Sequence, residues 1–506
     1  MSILPPRQDV RQSLEGAAAY GVRQRSGWVI GPVLFAATLL LAPPEGLSVE
    51  GWRTAGLALL MVTFWITEAL PIPVTALLPL VLIPALHLGD IRHAAAPFAN
   101  PIIFLFLGGF VIALAMQRWN LHRRLAVNLI GLMGTRPPRI VAGFLLASAL
   151  VSMWVSNTAT ALMMLPIAIS VVELVPAGER SLPANRAFAT AVLLSVAYGA
   201  TTGGMATLIG TPPLALLAGF VGNNYGFELG FGQWMLLGIP VVLVTLPVVY
   251  LVLTRVSFKL DRAPMPGMAQ LIQRERAEMG PFSRGEAIVS IVFAVTAAGW
   301  IFQPLLARAI PLLTDTTIAM ASAILLFALP VDWRRGEFVM NWESTRQLPW
   351  DVLLLFGGGL SLSGAISEHG LSTYLGGLST GLGQAPLWLT VGIISFAILM
   401  LTEFTSNTAT AATFLPITAA VAVGMGQNPL LFLIPVALAA NCSYMLPVGT
   451  PPNAIVFGSG RITLPQMARA GFLLNLALVP IIAGLVFLLG HWVFGIELGV
   501  LPSWVK

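Results

Sequence analysis

Two short polar strings interrupt an otherwise apolar chain: Ser156-Asn157-Thr158 and, 250 positions later, Ser406-Asn407-Thr408. Each is followed by a second interruption, Gly210-Thr211-Pro212-Pro213 and Gly449-Thr450-Pro451-Pro452, in the same order. None of the four contains a charged residue. They offer hydroxyls, side-chain amides and, where adjacent prolines remove amide donors from a helical ladder, freed carbonyls. Hydroxyl and carbonyl oxygens suit a hard cation such as Na⁺, whereas amide and hydroxyl donors at the positive ends of half-helices suit a carboxylate or sulfate. An anion held without Arg or Lys needs another source of positive charge. Bound Na⁺ supplies it, which gives a physical reason for coupling the two solutes.

A lone Ser-Asn-Thr in a membrane helix is ordinarily a packing contact or a helix cap. Two copies, each paired with a Gly-Thr-Pro-Pro break in the same order, make a binding site the stronger reading. Glu68 and Glu403 stand at or near the ends of apolar runs, where a carboxylate is costly unless paired or hydrated. We read both as structural, partnered by backbone donors or an Arg, in preference to a proton relay. The five histidines show no metal-ligand spacing.

The elements that position these residues follow from run lengths. Of the 506 residues, 57% are hydrophobic and 9% charged, with a mean hydropathy of +0.86. A soluble chain carries about 25% charged residues, so the composition excludes that class and predicts an all-α polytopic membrane protein. The net charge of +5 would raise the question of nucleic acid in a soluble protein. Here the basic residues flank apolar runs and report membrane orientation, with no nucleic-acid partner expected. The single Cys442 excludes an intrachain disulfide.

The run at 139–175 is too long for one crossing and too short for two, and its middle is Ser156-Asn157-Thr158. That pattern predicts a re-entrant hairpin whose tip is surrounded by protein. The run at 187–221 is broken by Gly210-Thr211-Pro212-Pro213 and predicts two half-helices around an unwound centre. A matching hairpin is expected at 386–422 and a matching broken helix at 428–458. Leu105-Phe106-Leu107-Gly108-Gly109 likewise pairs with Leu354-Leu355-Phe356-Gly357-Gly358-Gly359. The chain is therefore an internal duplication. Interrupted segments at corresponding positions of inverted repeats are the best sequence pointer to a transporter's binding site. We divide it into an N-terminal cytoplasmic tail (1–27), a first transmembrane helix (28–50), repeat 1 (51–256), a cytoplasmic linker (257–285) and repeat 2 (286–500). The linker reads as a solvated tether with one short surface helix around Met268 to Glu278.

Together with Thr67-Glu68-Ala69-Leu70-Pro71-Ile72-Pro73 and Met445-Leu446-Pro447-Val448-Gly449-Thr450-Pro451-Pro452-Asn453-Ala454-Ile455-Val456, these motifs make the chain resemble the divalent-anion/sodium symporters. These are the sodium-coupled di- and tricarboxylate and sulfate transporters. The resemblance runs from about Trp28 onward. It implies about eleven transmembrane helices plus two re-entrant hairpins, inverted repeats, a homodimer in the bilayer of a bacterial inner membrane, and an elevator movement of a transport domain built from the hairpins and broken helices. Carried over by motif, a first sodium site would use Ser152, Ser156, Asn157 and the Gly210 carbonyl. A second would use Thr402, the Thr405 carbonyl, Asn407 and the Gly449 carbonyl. The substrate would meet Asn157, Thr158, Thr211, Asn407, Thr408, Thr450 and Pro451. Leu214 departs from the pattern, standing where the second repeat has Asn453.

No cofactor is implied beyond sodium as the coupling ion, and a C4-dicarboxylate such as succinate or malate is the expected substrate. Sulfate, citrate and sodium-independent anion exchange are the alternatives within the family. A membrane enzyme would need a catalytic constellation, and the sequence has no Gly-x-Ser-x-Gly or His-Glu-x-x-His. A channel would place its selectivity filter on an oligomer axis instead of duplicating it within one chain.

Overall fold

The computed structural model describes residues 21–180, 182–379 and 385–505. Residues 1–20 of the expected tail lie outside the described residues. Apart from a short antiparallel pairing of Pro330–Asp332 with Glu337–Phe338, the regular structure there is helical. Among the described residues, seven helices are long and apolar enough to cross a membrane, and six shorter ones are also apolar. The first described helix, Val22–Leu40, is placed earlier than the apolar run alone suggested. Pro43-Pro44 follow its end, and Ser48 caps the next helix, Val49–Thr67, by accepting from the Gly51 amide at 2.9 Å.

Both interrupted runs fold as their polar strings dictate. Helices Pro137–Ser152 and Asn157–Glu173 form one hairpin, and Leu387–Thr402 and Asn407–Gly424 the other. At 16 to 18 residues, each arm is about 24–27 Å long, short of the ~30 Å hydrocarbon core. Ser156 turns the first tip by accepting from the Ala159 amide at 3.3 Å. The first broken helix runs Pro183–Gly203, tightens into two 3₁₀ turns (Gly204–Ala206 and Leu208–Gly210), and resumes as Pro212–Tyr225. The second runs Leu430–Asn441, unwinds, and resumes for only seven residues, Pro451–Phe457. Thr211 and Thr450 are both extended, with φ of −150° and −140°, because proline at the next position disfavours helical backbone before it.

The duplication is visible in the packing. Phe106 and Phe356, 250 positions apart, meet edge to face with ring centroids 5.3 Å apart. Two residues further along, a Cβ on Gly108 would lie 2.7 Å from the Ala319 carbonyl carbon, and one on Gly358 would strike the Ala76 backbone. Each central helix is thus pressed by a missing side chain onto a helix of the other repeat. Gly203 approaches the Ala149 backbone as closely, which seats the helix Pro183–Gly203, buried from Phe188 onward, on the first hairpin arm.

The linker differs from the expected tether. Its helix spans Met268–Glu278, as expected, but Met268, Ile272 and Glu275 are buried. Glu275 pairs with Arg123 at 2.8 Å, on helix Leu121–Met133. Arg124 on the same helix pairs with Glu286 at 2.6 Å and donates to the carbonyls of Met279, Gly280 and Pro281 at 3.1, 3.2 and 3.3 Å. Charge content suggested a solvated segment, whereas the four-residue spacing of Met268 and Ile272 gives the helix an apolar edge.

Candidate functional site

Both hairpin tips and both helix breaks open onto one cavity of about 820 Å³. Ser156, Asn157 and Thr158 reach it from the first tip, and Ser406, Asn407 and Thr408 from the second. Gly210, Thr211 and Pro212 line it from the first break, and Gly449, Thr450 and Pro451 from the second. Three expected site residues are elsewhere. Ser152, Thr402 and Thr405 are buried behind the tips, with 0%, 0% and 4% exposure.

The two buried hydroxyls nearest the tips act alike. Ser152 Oγ donates to Asn157 Oδ1 at 2.5 Å, and Thr402 Oγ1 donates to Asn407 Oδ1 at 2.7 Å. Each hairpin therefore carries a hydroxyl and an amide oxygen locked together where its arms meet. Thr405 Oγ1 instead bonds the Leu401 carbonyl at 3.0 Å and Thr410 Oγ1 at 2.7 Å, so its side chain is engaged within the hairpin. In the first break, Gly210 lies against the Gly204 backbone, and a Cβ on Gly204 would sit 2.6 Å from Asn157 Oδ1. Only glycine lets the break close on the tip here.

Ser156, Thr211, Ser406 and Thr450 are the N-cap residues of four of the helices that start at the cavity. The positive ends of those helices are thereby directed at one volume, an arrangement suited to an anion. Among the described residues, no Lys, Arg or His lines it, while Glu68 and Asp351 do. Glu68 is paired with Arg23 at 2.8 Å, and Arg23 also donates to the carbonyls of Thr67 and Phe404 at 3.3 and 3.2 Å. Glu403 is buried and accepts from backbone amides, so both carboxylates have the kind of partner expected of a structural role.

Asn441 was not singled out from the sequence, although it lines the cavity and joins both halves. Its Oδ1 accepts from Thr211 Oγ1 at 2.6 Å, its Nδ2 donates to the Thr201 carbonyl at 2.9 Å, and its own carbonyl accepts from Asn407 Nδ2 at 3.1 Å. The available signal was a lone amide side chain in an apolar run just ahead of a helix break. Gln117, Gln347 and Asp351 also reach the cavity unanticipated. Asn453, the counterpart of Leu214, turns away from the tips and donates to the carbonyls of Ser443 and Leu446 at 3.1 and 3.0 Å. The Leu214 departure thus removes a clamp on the loop backbone.

A family model described as the sodium:sulfate symporter transmembrane region matches residues 25–496. Proteins named sodium-dependent dicarboxylate transporter SdcS are similar along nearly their whole length. The Staphylococcus saprophyticus protein is 42% identical over 487 residues, 95% of this chain and 94% of that one. A Staphylococcus aureus protein is 42% identical over 490 residues, 95% and 93%. Two solved structures share the fold at 12% identity, which speaks for the fold alone. MtrF of Neisseria gonorrhoeae has a TM-score of 0.55, covering 97% of this chain and 98% of its own. YdaH of Alcanivorax borkumensis has a TM-score of 0.56, covering 94% and 99%. The duplicated hairpins and breaks, the apolar spans and a match over residues 25–496 lead to one conclusion: this multi-pass membrane chain belongs to the divalent-anion/sodium symporter family.

Proposed function

We propose that the chain is a secondary transporter of the cytoplasmic membrane that carries a small dicarboxylate, of the size of succinate or malate, together with Na⁺. The observation that carries this reading is the cavity's chemistry. Four helix N-termini and uncharged donors face a volume within the usual range for small-molecule sites, with no basic side chain among the described lining residues. A dianion there is favoured when cations occupy neighbouring oxygen sites. Asn157 with Ser152, Ser156 and the Gly210 carbonyl would make one such site, and Asn407 with Thr402 and the carbonyls of Thr405 and Gly449 the other. Thr158, Thr408, Thr211, Thr450 and Pro451 would then meet the substrate between the tips. The 42% identity to proteins named sodium-dependent dicarboxylate transporters supports both the cation and the substrate class.

The same reading takes the hairpins and broken helices as a mobile transport domain that moves as an elevator against a scaffold, in a homodimer with inverted repeats and about eleven crossings. The test is uptake into proteoliposomes of labelled succinate, malate, citrate and sulfate, each with and without a sodium gradient. Dicarboxylate uptake should require Na⁺. Equal uptake when choline replaces sodium would overturn symport and establish anion exchange.

A further inference from the structure

The two helix breaks are held open by different means. In the first, close packing does it: Gly210 rests on the Gly204 backbone, Gly203 on the Ala149 backbone, and Thr207 Oγ1 donates to the Met153 carbonyl at 2.5 Å. In the second, the position 250 residues after Met153 is Glu403, which is 1% exposed. Its two oxygens collect donors from the unwound segment and from Asn475. Ser443 Oγ reaches Oε2 at 2.9 Å, the Tyr444 amide reaches Oε1 at 2.8 Å, and the Leu446 amide reaches Oε2 at 3.1 Å. The Met445 amide lies 3.0 Å from both oxygens, and Asn475 Nδ2 donates to Oε1 at 2.6 Å. Among the described residues, no Lys, Arg or His pairs with it.

The two carboxylate oxygens accept from Ser443, Tyr444, Met445, Leu446 and Asn475 together. The carboxylate also has a place to act. Glu403 directly follows Thr402 and stands two positions before Thr405, and a Cβ on Gly449 would strike Ser443 Oγ and lie 3.2 Å from the Glu403 carbonyl oxygen. From the opposite side, Asn453 takes the carbonyls of Ser443 and Leu446 at 3.1 and 3.0 Å. The segment between helices Leu430–Asn441 and Pro451–Phe457 is thus gripped by its amides on one side and its carbonyls on the other.

We infer that Glu403 is a positioning residue of the second cation site: by gathering the amides of Tyr444, Met445 and Leu446 it fixes where the Gly449 carbonyl stands relative to Thr402 and Asn407. The inference rests on the paired-cation reading above. It makes the two sites unequal, because the second is held by a buried carboxylate where the first repeat has Met153.

The test uses the full-length protein and two readouts, the sodium dependence of succinate uptake at saturating succinate and the sodium concentration needed to raise the melting temperature of the purified protein. Glu403→Gln keeps the volume but turns an amide group toward N–H donors. It should raise the half-saturating sodium concentration about tenfold or more in both readouts. The succinate KM at saturating sodium should stay within about twofold of the native value. Ser443→Ala removes one of the donors and should shift sodium in the same direction by a smaller factor, which keeps the question open to decision if Glu403→Gln fails to fold. Native-like sodium curves for a folded variant would overturn the inference while leaving the transport reading standing. A native protein indifferent to sodium would overturn both.

Discussion

At the scale of single residues, the site separates atoms that would hold a cation from atoms that would hold an anion. Thr158 and Thr408 line the cavity, while Thr402 is buried behind the second tip with its hydroxyl within hydrogen-bond distance of both Asn407 Oδ1 and the Ala440 carbonyl. Losing a hydrogen bond to a charged carboxylate costs about 1.5–3 kcal/mol, roughly 10- to 150-fold in affinity. Thr158→Ala and Thr408→Ala should therefore weaken succinate binding even at saturating sodium. Ser156→Ala and Thr402→Ala should instead raise the sodium requirement, with succinate affinity recovering once sodium is saturating. Because the two bindings are linked, only the comparison at saturating sodium separates them, and identical behaviour of all four variants there would refute the residue roles. The residues of the tips and breaks were legible because two polar motifs recur at matching positions in a membrane chain. Asn441 was not, because its meaning lies in bonds to Thr201, Thr211 and Asn407, the first two about 230 to 240 residues away.

At the scale of elements, length and punctuation carried the hairpins. Runs too long for one crossing, with a polar middle, fold as two short arms, and Pro-Pro breaks a helix wherever it falls. What run length could not reveal was how closely the elements pack, since that depends on which glycine faces which backbone. Gly358→Val should destabilise the detergent-solubilised protein by about 1–3 kcal/mol, because the added side chain meets the Ala76 backbone. Gly392, in the arm Leu387–Thr402, has nothing within 4 Å of where its Cβ would be. Gly392→Ala should be neutral or stabilising by up to about 1 kcal/mol, and paired melting curves would check both signs. The tips themselves can be probed in the native chain, since its one cysteine, Cys442, is fully buried. Single cysteines at 155–160 and 405–410 should react with membrane-impermeant thiol reagents from one side or the other as sodium and substrate change. Failure of both segments to react under every condition would reduce them to packing motifs.

At the scale of the whole molecule, the halves are joined by more than a tether, because Arg123 and Arg124 fasten the segment between them to helix Leu121–Met133. Arg124→Ala should expose residues 262–276 to trypsin, read by the appearance of two half-length fragments in limited proteolysis. The larger consequence concerns pH. The positive potential in the cavity is made by the N-termini of helices, which is to say by peptide groups that neither gain nor lose a proton between pH 5 and 9. A site whose positive charge came from histidine would carry that titration into the transport rate, whereas helix N-termini add none. Across a series of dicarboxylates whose second ionisations differ, the inflection of uptake against pH should move with the acid. A single inflection common to all of them would mean that a protein side chain sets it.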